Sequence, residues 1–140
     1  MDKKRVYLTW DHIEEAVDRL ATSIKASGAK IKTIRGLPRG GLIPAVLLSH
    51  KLNIPMGNHP SYGLIVDDIC DSGVTLKPFM ELGMLTATIH YKKSALVKPS
   101  FWYDVVEEEN WIVYPWEQKD SETIQNYLKD EPRESLRDGK

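Results

Sequence analysis

One cysteine, Cys70, occurs in 140 residues. An intrachain disulfide is therefore excluded, and no cysteine cluster exists to hold zinc. Long hydrophobic runs are absent as well. The longest, such as residues 42–48, falls far short of the length that crosses a bilayer. The charged opening MDKKRVYLTW has no apolar stretch after it, so a secretory signal is not expected. An excess of either charge is also lacking: 19 Lys and Arg stand against 20 Asp and Glu, a net charge of -1. That balance gives no broad pull toward nucleic acid or membrane, while leaving room for a local basic patch. There is no internal repeat and no low-complexity tract. What remains is a chain with 41% hydrophobic and 28% charged residues, ordinary for one globular domain with a single core. A cytoplasmic location is expected.

The pattern along the chain is one of alternating helices and strands. Thr9 suits a helix N-cap, and Ile13, Ala16, Val17, Leu20, Ala21 and Ile24 then recur at helical spacing as far as Gly28. A short strand is predicted over residues 30–35, a tight loop over GLPRGG at 36–41, and a helix over 42–52. Residues 56–63 form a turn-rich connector containing Gly57, Asn58, Pro60 and Gly63. Leu64-Ile65-Val66 is continuously apolar, as a buried central strand of a parallel sheet should be. A polar loop at 67–73 follows, then a helix over 74–83 in which Pro78 is best tolerated in the first turn. Strands are predicted at 85–91, 103–106 and 111–114. Glu122–Leu128 is expected to form one exposed helix, with a frayed end at 129–140. Strand, glycine loop and helix occur twice in order, which favours an α/β fold with a mostly parallel central sheet flanked by helices. The expected division is a domain over 1–117 and a charged C-terminal extension over 118–140. Ligands of such sheets bind at the carboxyl ends of the strands, where both glycine loops fall.

The second loop carries a distinct chemistry. In DDICDSGVT, residues 67–75, Gly73 lets successive backbone N–H groups turn toward one anion, and the following helix adds its positive end. Ser72 and Thr75 supply hydroxyl donors. Asp67 and Asp68 would repel a phosphate, but they can accept hydrogen bonds from sugar hydroxyls or help to hold a divalent cation. A ribose 5-phosphate matches that layout. A bare capped turn would not need two aspartates at the strand end. A Walker A loop would need Lys before Ser or Thr, and an EF-hand does not accommodate Ile69 at its third position. In the first loop, Gly40 and Gly41 permit close backbone approach and Arg39 offers a fork donor for pyrophosphate oxygens, although such a loop is often only a turn.

The segment LIVDDICDSGVTL, residues 64–76, resembles the PRPP-binding signature of type I phosphoribosyltransferases, where PRPP is 5-phosphoribosyl-1-pyrophosphate. LPRGGLIPAVLLSHKLNIP, VYLTWDHIEEAVDRLA and the segment WIVYPWE are similar to xanthine-guanine members, and the resemblance spans about residues 6–117. It implies the type I phosphoribosyltransferase fold and transfer of 5-phosphoribosyl from PRPP to N9 of a 6-oxopurine, with Mg²⁺ as cofactor. It further implies that Asp67 and Asp68 bind the ribose hydroxyls, with Asp68 nearest the metal. The backbone of Asp71, Ser72, Gly73, Val74 and Thr75 would hold the 5-phosphate, and Arg39 and Gly40 the pyrophosphate. Asp71 would be the general base near N7. Lys92 would donate to the C6 oxygen, with Lys93 and Lys98 as rivals, and a solvated lysine cluster is the simpler alternative. Trp111 would stack on the purine while the Ile112 backbone reads its edge; Trp116 reads as a core or interface residue, and His90 as a strand residue.

One departure stands out. The family carries a long lid insertion before the PRPP strand, whereas here only residues 56–63 fill that place. Two further readings therefore stay open: a non-catalytic regulatory protein that binds PRPP or a nucleotide, and an RNA-binding regulator on the same fold. The expected partners are PRPP and a purine base or nucleotide, with a second copy of the chain and without membrane or nucleic acid.

Overall fold

The computed structural model describes residues 4–118. In chain order these form β1 (Lys4–Tyr7), α1 (Trp10–Ser27), β2 (Thr33–Gly36), α2 (Leu42–Leu52), β3 (Gly63–Cys70), α3 (Lys77–Glu81), β4 (Leu85–Tyr91), β5 (Phe101–Val105) and β6 (Asn110–Val113). The helix and frayed end expected beyond residue 118 lie outside the described residues, as does all but the first residue of the C-terminal extension.

Local chemistry explains the start and stop of α1. The Thr9 hydroxyl accepts from the His12 N–H at 3.2 Å, while His12 Nδ1 accepts from the Thr9 N–H at 3.0 Å. Two N–H groups that the helix leaves without partners are thereby satisfied, with histidine in the place usually taken by glutamate. Gly28 ends the helix at φ 69°, a left-handed position. The six residues picked out by their spacing are all buried.

Strands β2, β3, β4 and β5 lie side by side in that order, all parallel. Leu64 and Val66 face a core shared with α1 and α2. Ile65 points the other way, into a second cluster with Leu37, Leu76 and Met84. Burial on both faces removes Leu64, Ile65 and Val66 from water altogether, worth roughly 2 kcal/mol for each side chain. The carboxyl ends of β2, β3 and β4 open on the same edge.

Several elements differ from the sequence pattern, among them β2 at 33–36 rather than 30–35 and β5 at 101–105 rather than 103–106. β3 continues through Asp67 and Asp68 to Cys70, because β4 offers a ladder that far, with Asp67 beside Thr88 and Cys70 beside Tyr91. Backbone pairing outweighs the local polarity. α3 begins at Lys77 rather than near 74, after a turn at 74–76, and Pro78 sits in its first turn. β1 has no apolar signal of its own; it exists because it pairs in parallel with β6, apart from the main sheet.

Candidate active site

Asp67 and Asp68 are 2% and 3% exposed at the carboxyl end of β3. Carboxylates are seldom buried without partners, and here the backbone supplies some. Asp67 Oδ1 accepts from the Asp68 N–H at 2.9 Å, and Asp68 Oδ1 accepts from the Ile69 N–H at 2.8 Å. Each acid is thus turned by the residue that follows it.

The loop after β2 is folded onto this pair. The Leu37 N–H donates to the Val66 carbonyl at 2.9 Å, and the Gly41 N–H closes the loop on the Leu37 carbonyl at 2.9 Å. The Pro38–Arg39 peptide is cis. Gly40 lies directly against Asp68: a Cβ there would overlap the carboxylate and stand 2.6 Å from its Cγ. Glycine is required by contact at this position. Arg39 is exposed, near enough to act on the charge of Glu117.

The loop after β3 is held differently. Gly73 adopts φ 88°, and an added Cβ would lie 2.8 Å from the Leu96 N and 2.9 Å from the Val97 N. Ser72 Oγ accepts from the Val74 N–H at 3.2 Å, and the Leu96 N–H donates to the Ser72 carbonyl at 2.8 Å. Ser72 and Val74 are exposed and Thr75 half-buried, so hydroxyls and N–H groups gather at the rim.

Among the three rival lysines the geometry distinguishes clearly. Lys92 is 3% exposed and its Nζ lies 3.2 Å from Asp71 Oδ1. Lys93 and Lys98 are exposed, and Lys98 sits over the Trp102 ring at 4.4 Å. Asp68, Asp71 and Lys92 line an open cleft together with Trp111, Ile112, Tyr114 and Glu117. Of the residues singled out in the sequence, Asp68, Asp71, Lys92, Trp111 and Ile112 therefore share one cleft, with Gly40 against Asp68.

Three residues of this site are not among the site residues that the sequence singles out. Tyr114 is buried, its hydroxyl donating to the Asp68 carbonyl at 3.2 Å. His90 Nδ1 meets the same hydroxyl at 2.8 Å. Burial lowers the His90 imidazole to about 4, against the raising influence of Asp104 and Asp68. Burial also raises the Tyr114 phenol well above its ordinary value, with Asp68 adding to it. Glu117 accepts from the Tyr114 N–H at 2.8 Å, and burial raises its carboxyl despite that bond and Arg39. The only hint lay in the WIVYPWE segment itself, where a tyrosine and a glutamate flank the proline turn. Trp116 packs against the core and stacks on Tyr114 at 4.9 Å, as expected of it.

No family model matches the chain. A purine phosphoribosyltransferase structure from Pyrococcus horikoshii is 32% identical, with a TM-score of 0.72, over 84% of this chain and 97% of that one. The xanthine-guanine phosphoribosyltransferase of Cereibacter sphaeroides is 26% identical over 82% of this chain and 88% of its own length. The xanthine-guanine-hypoxanthine phosphoribosyltransferase of Helicobacter pylori shares the fold at 17% identity and a TM-score of 0.69. Parallel strands ending in an acidic pair and a glycine loop, on this architecture, define a type I phosphoribosyltransferase fold. The chain belongs to the purine phosphoribosyltransferase family.

Proposed function

We propose that the protein transfers the 5-phosphoribosyl group of PRPP to N9 of a 6-oxopurine (xanthine, guanine or hypoxanthine) and releases pyrophosphate. The observation that carries this reading is the buried Lys92 ammonium facing Asp71 beside the Asp67–Asp68 pair. A cation at that depth suits an exocyclic oxygen at C6, which adenine lacks. Asp71 reaches the same end of the cleft, where a purine N7 would lie, and is the candidate base. Trp111 offers a ring for stacking, and the Ile112 backbone a hydrogen-bonding edge. The acidic pair takes the ribose hydroxyls, residues 71–75 the 5-phosphate, and Arg39 with Gly40 the pyrophosphate.

Displacement at the anomeric carbon leaves positive charge on the ribose, so catalysis rests on positioning and on neutralising the leaving group. Among the described residues no group of three or more His, Cys, Asp or Glu could hold a metal alone. Asp68 fits a magnesium ion that takes its remaining ligands from substrate oxygens and water. When bound there, the ion supplies charge neutralisation for the departing pyrophosphate.

A second reading, nucleotide binding without turnover, is favoured by the connector from α2 to β3. It contains turns and one bridge between Ile34 and Met56, with no hairpin to cover the cleft. A lid excludes water from a reacting sugar. Incubation with PRPP, Mg²⁺ and each base, followed by chromatography for nucleotide, separates the two. Nucleotide formed at enzymatic rates is expected; binding of PRPP by calorimetry with no product from any base would establish the second reading instead.

A further inference from the structure

Tyr114 occupies a position that the proposed chemistry leaves without work, yet its surroundings are specific. It is 3% exposed, and it lines the cleft together with Asp68. Its hydroxyl donates to the backbone carbonyl of Asp68, on the ribose side. Its own backbone N–H is held by Glu117, and its chain neighbours Ile112 and Trp111 belong to the base side.

The proton inventory fixes the direction of this chain of bonds. A carbonyl can only accept, so the single Tyr114 proton goes to Asp68. On that assignment His90 Nδ1 carries a hydrogen and donates to the tyrosine oxygen at 2.8 Å, in the Nδ1–H tautomer. Asp68 has its side chain turned by the Ile69 N–H and its backbone held by Tyr114, so both ends of the residue are fixed. Gly40 lies against the carboxylate, where a Cβ would stand 2.6 Å from its Cγ.

We infer that Tyr114 is a positioning residue: with His90 behind it, its hydroxyl sets the backbone of Asp68 and so orients the acidic pair for the ribose and its metal. The inference rests on the reading of Asp68 given above. It concerns no contact between Tyr114 and the reacting atoms. A backbone carbonyl displaced by a few tenths of an ångström at the strand end moves the carboxylate attached to the same residue. Sites built for sugar diols are sensitive to such shifts.

The test is calorimetric titration of PRPP with Mg²⁺ in the absence of base, paired with titration of guanine or xanthine alone. Tyr114→Phe removes one hydroxyl and keeps the stack on Trp116. It is expected to weaken PRPP binding about five- to tenfold, the loss typical of one hydrogen bond, and to change base binding less than twofold. His90→Leu is expected to weaken PRPP in the same direction by about threefold, and His90→Asn, whose amide can donate from nearly the same place, to restore it. The double variant Tyr114→Phe/His90→Leu is expected to bind no worse than Tyr114→Phe, since the two act in series. Unchanged PRPP affinity in a folded Tyr114→Phe variant would overturn the inference. So would equal losses for PRPP and base, because a merely structural role spreads over the whole cleft. If Tyr114→Phe does not fold, the contrast between His90→Leu and His90→Asn decides. Wild-type protein that fails to bind PRPP would instead defeat the functional reading itself.

Discussion

The loops after β2 and β3 both serve the same end of the sheet, but they are fixed by different means. Residues 37–41 lie back on β3, bonded to Val66 and pressed by Gly40 against Asp68. Residues 71–76 project past the strand end and are tied to the segment around Leu96 through Ser72 and the left-handed Gly73. In the first loop glycine is needed because something else occupies the space. In the second it is needed because of the backbone angle as well. The difference teaches that one loop cannot move without moving the acidic pair, whereas the other can adapt at its exposed rim.

The harshest break removes the charge that both loops surround. Asp67→Asn/Asp68→Asn is expected to weaken PRPP binding more than about a hundredfold in calorimetry, since sugar and metal lose their anionic partners together. Next comes the pair of glycine changes. Gly40→Ala forces the Asp68 carboxylate aside and is expected to reduce PRPP affinity by about tenfold to a hundredfold, with a small change in melting temperature. Gly73→Ala meets backbone at Leu96 and Val97 and also strains φ. It should therefore cost about 1–3 kcal/mol of stability by denaturant titration, beyond any loss of affinity. If both variants lost only affinity, or both only stability, the distinction drawn between the loops would collapse.

A milder change sharpens the contrast between the buried and exposed partners of one ion pair. Asp71→Asn leaves Lys92 buried without its carboxylate, but Asp71 is 55% exposed and the pair is partly screened. A stability loss of about 1 kcal/mol is expected, alongside a roughly tenfold rise in KM for the base. A last effect, which appears only on acidification, concerns His90. Its folded value of about 4 lies below the ordinary 6.5, so the unfolded chain binds the proton more readily. The contribution of His90 to stability is complete above about 6.5 and fades as pH falls toward about 4, by up to roughly 3 kcal/mol. Denaturant midpoints of wild type and His90→Asn, compared from pH 7.5 to 4.5, should converge on acidification.

Much of this molecule is legible in its sequence. Hydrophobic periodicity located α1 and the apolar start of β3, because side chains buried on one face or two leave a repeat in the sequence. The glycine loops and acidic pair were legible because their chemistry demands unusual residues close together. What escaped depended on partners distant in sequence. Asp67 to Cys70 read as loop, since polarity speaks louder locally than a ladder supplied by β4. β1 is four residues with charges at Lys4 and Arg5, and only β6 makes it a strand. The hydroxyl of Tyr114 reaches Asp68 across 46 positions, and no spacing rule joins them.

The parallel pairing of β1 with β6 has a consequence for the order in which the molecule is made. Lys4 opposes Asn110, about a hundred residues later, whereas β2, β3 and β4 meet neighbours much nearer in the chain. Contacts of such long separation form late. During synthesis β2, β3 and β4 can assemble while β6 is still being translated, and the opening strand must wait with an unpaired edge. Trp111 and Ile112, carried on β6, are thus among the last lining residues of the cleft to be set in place.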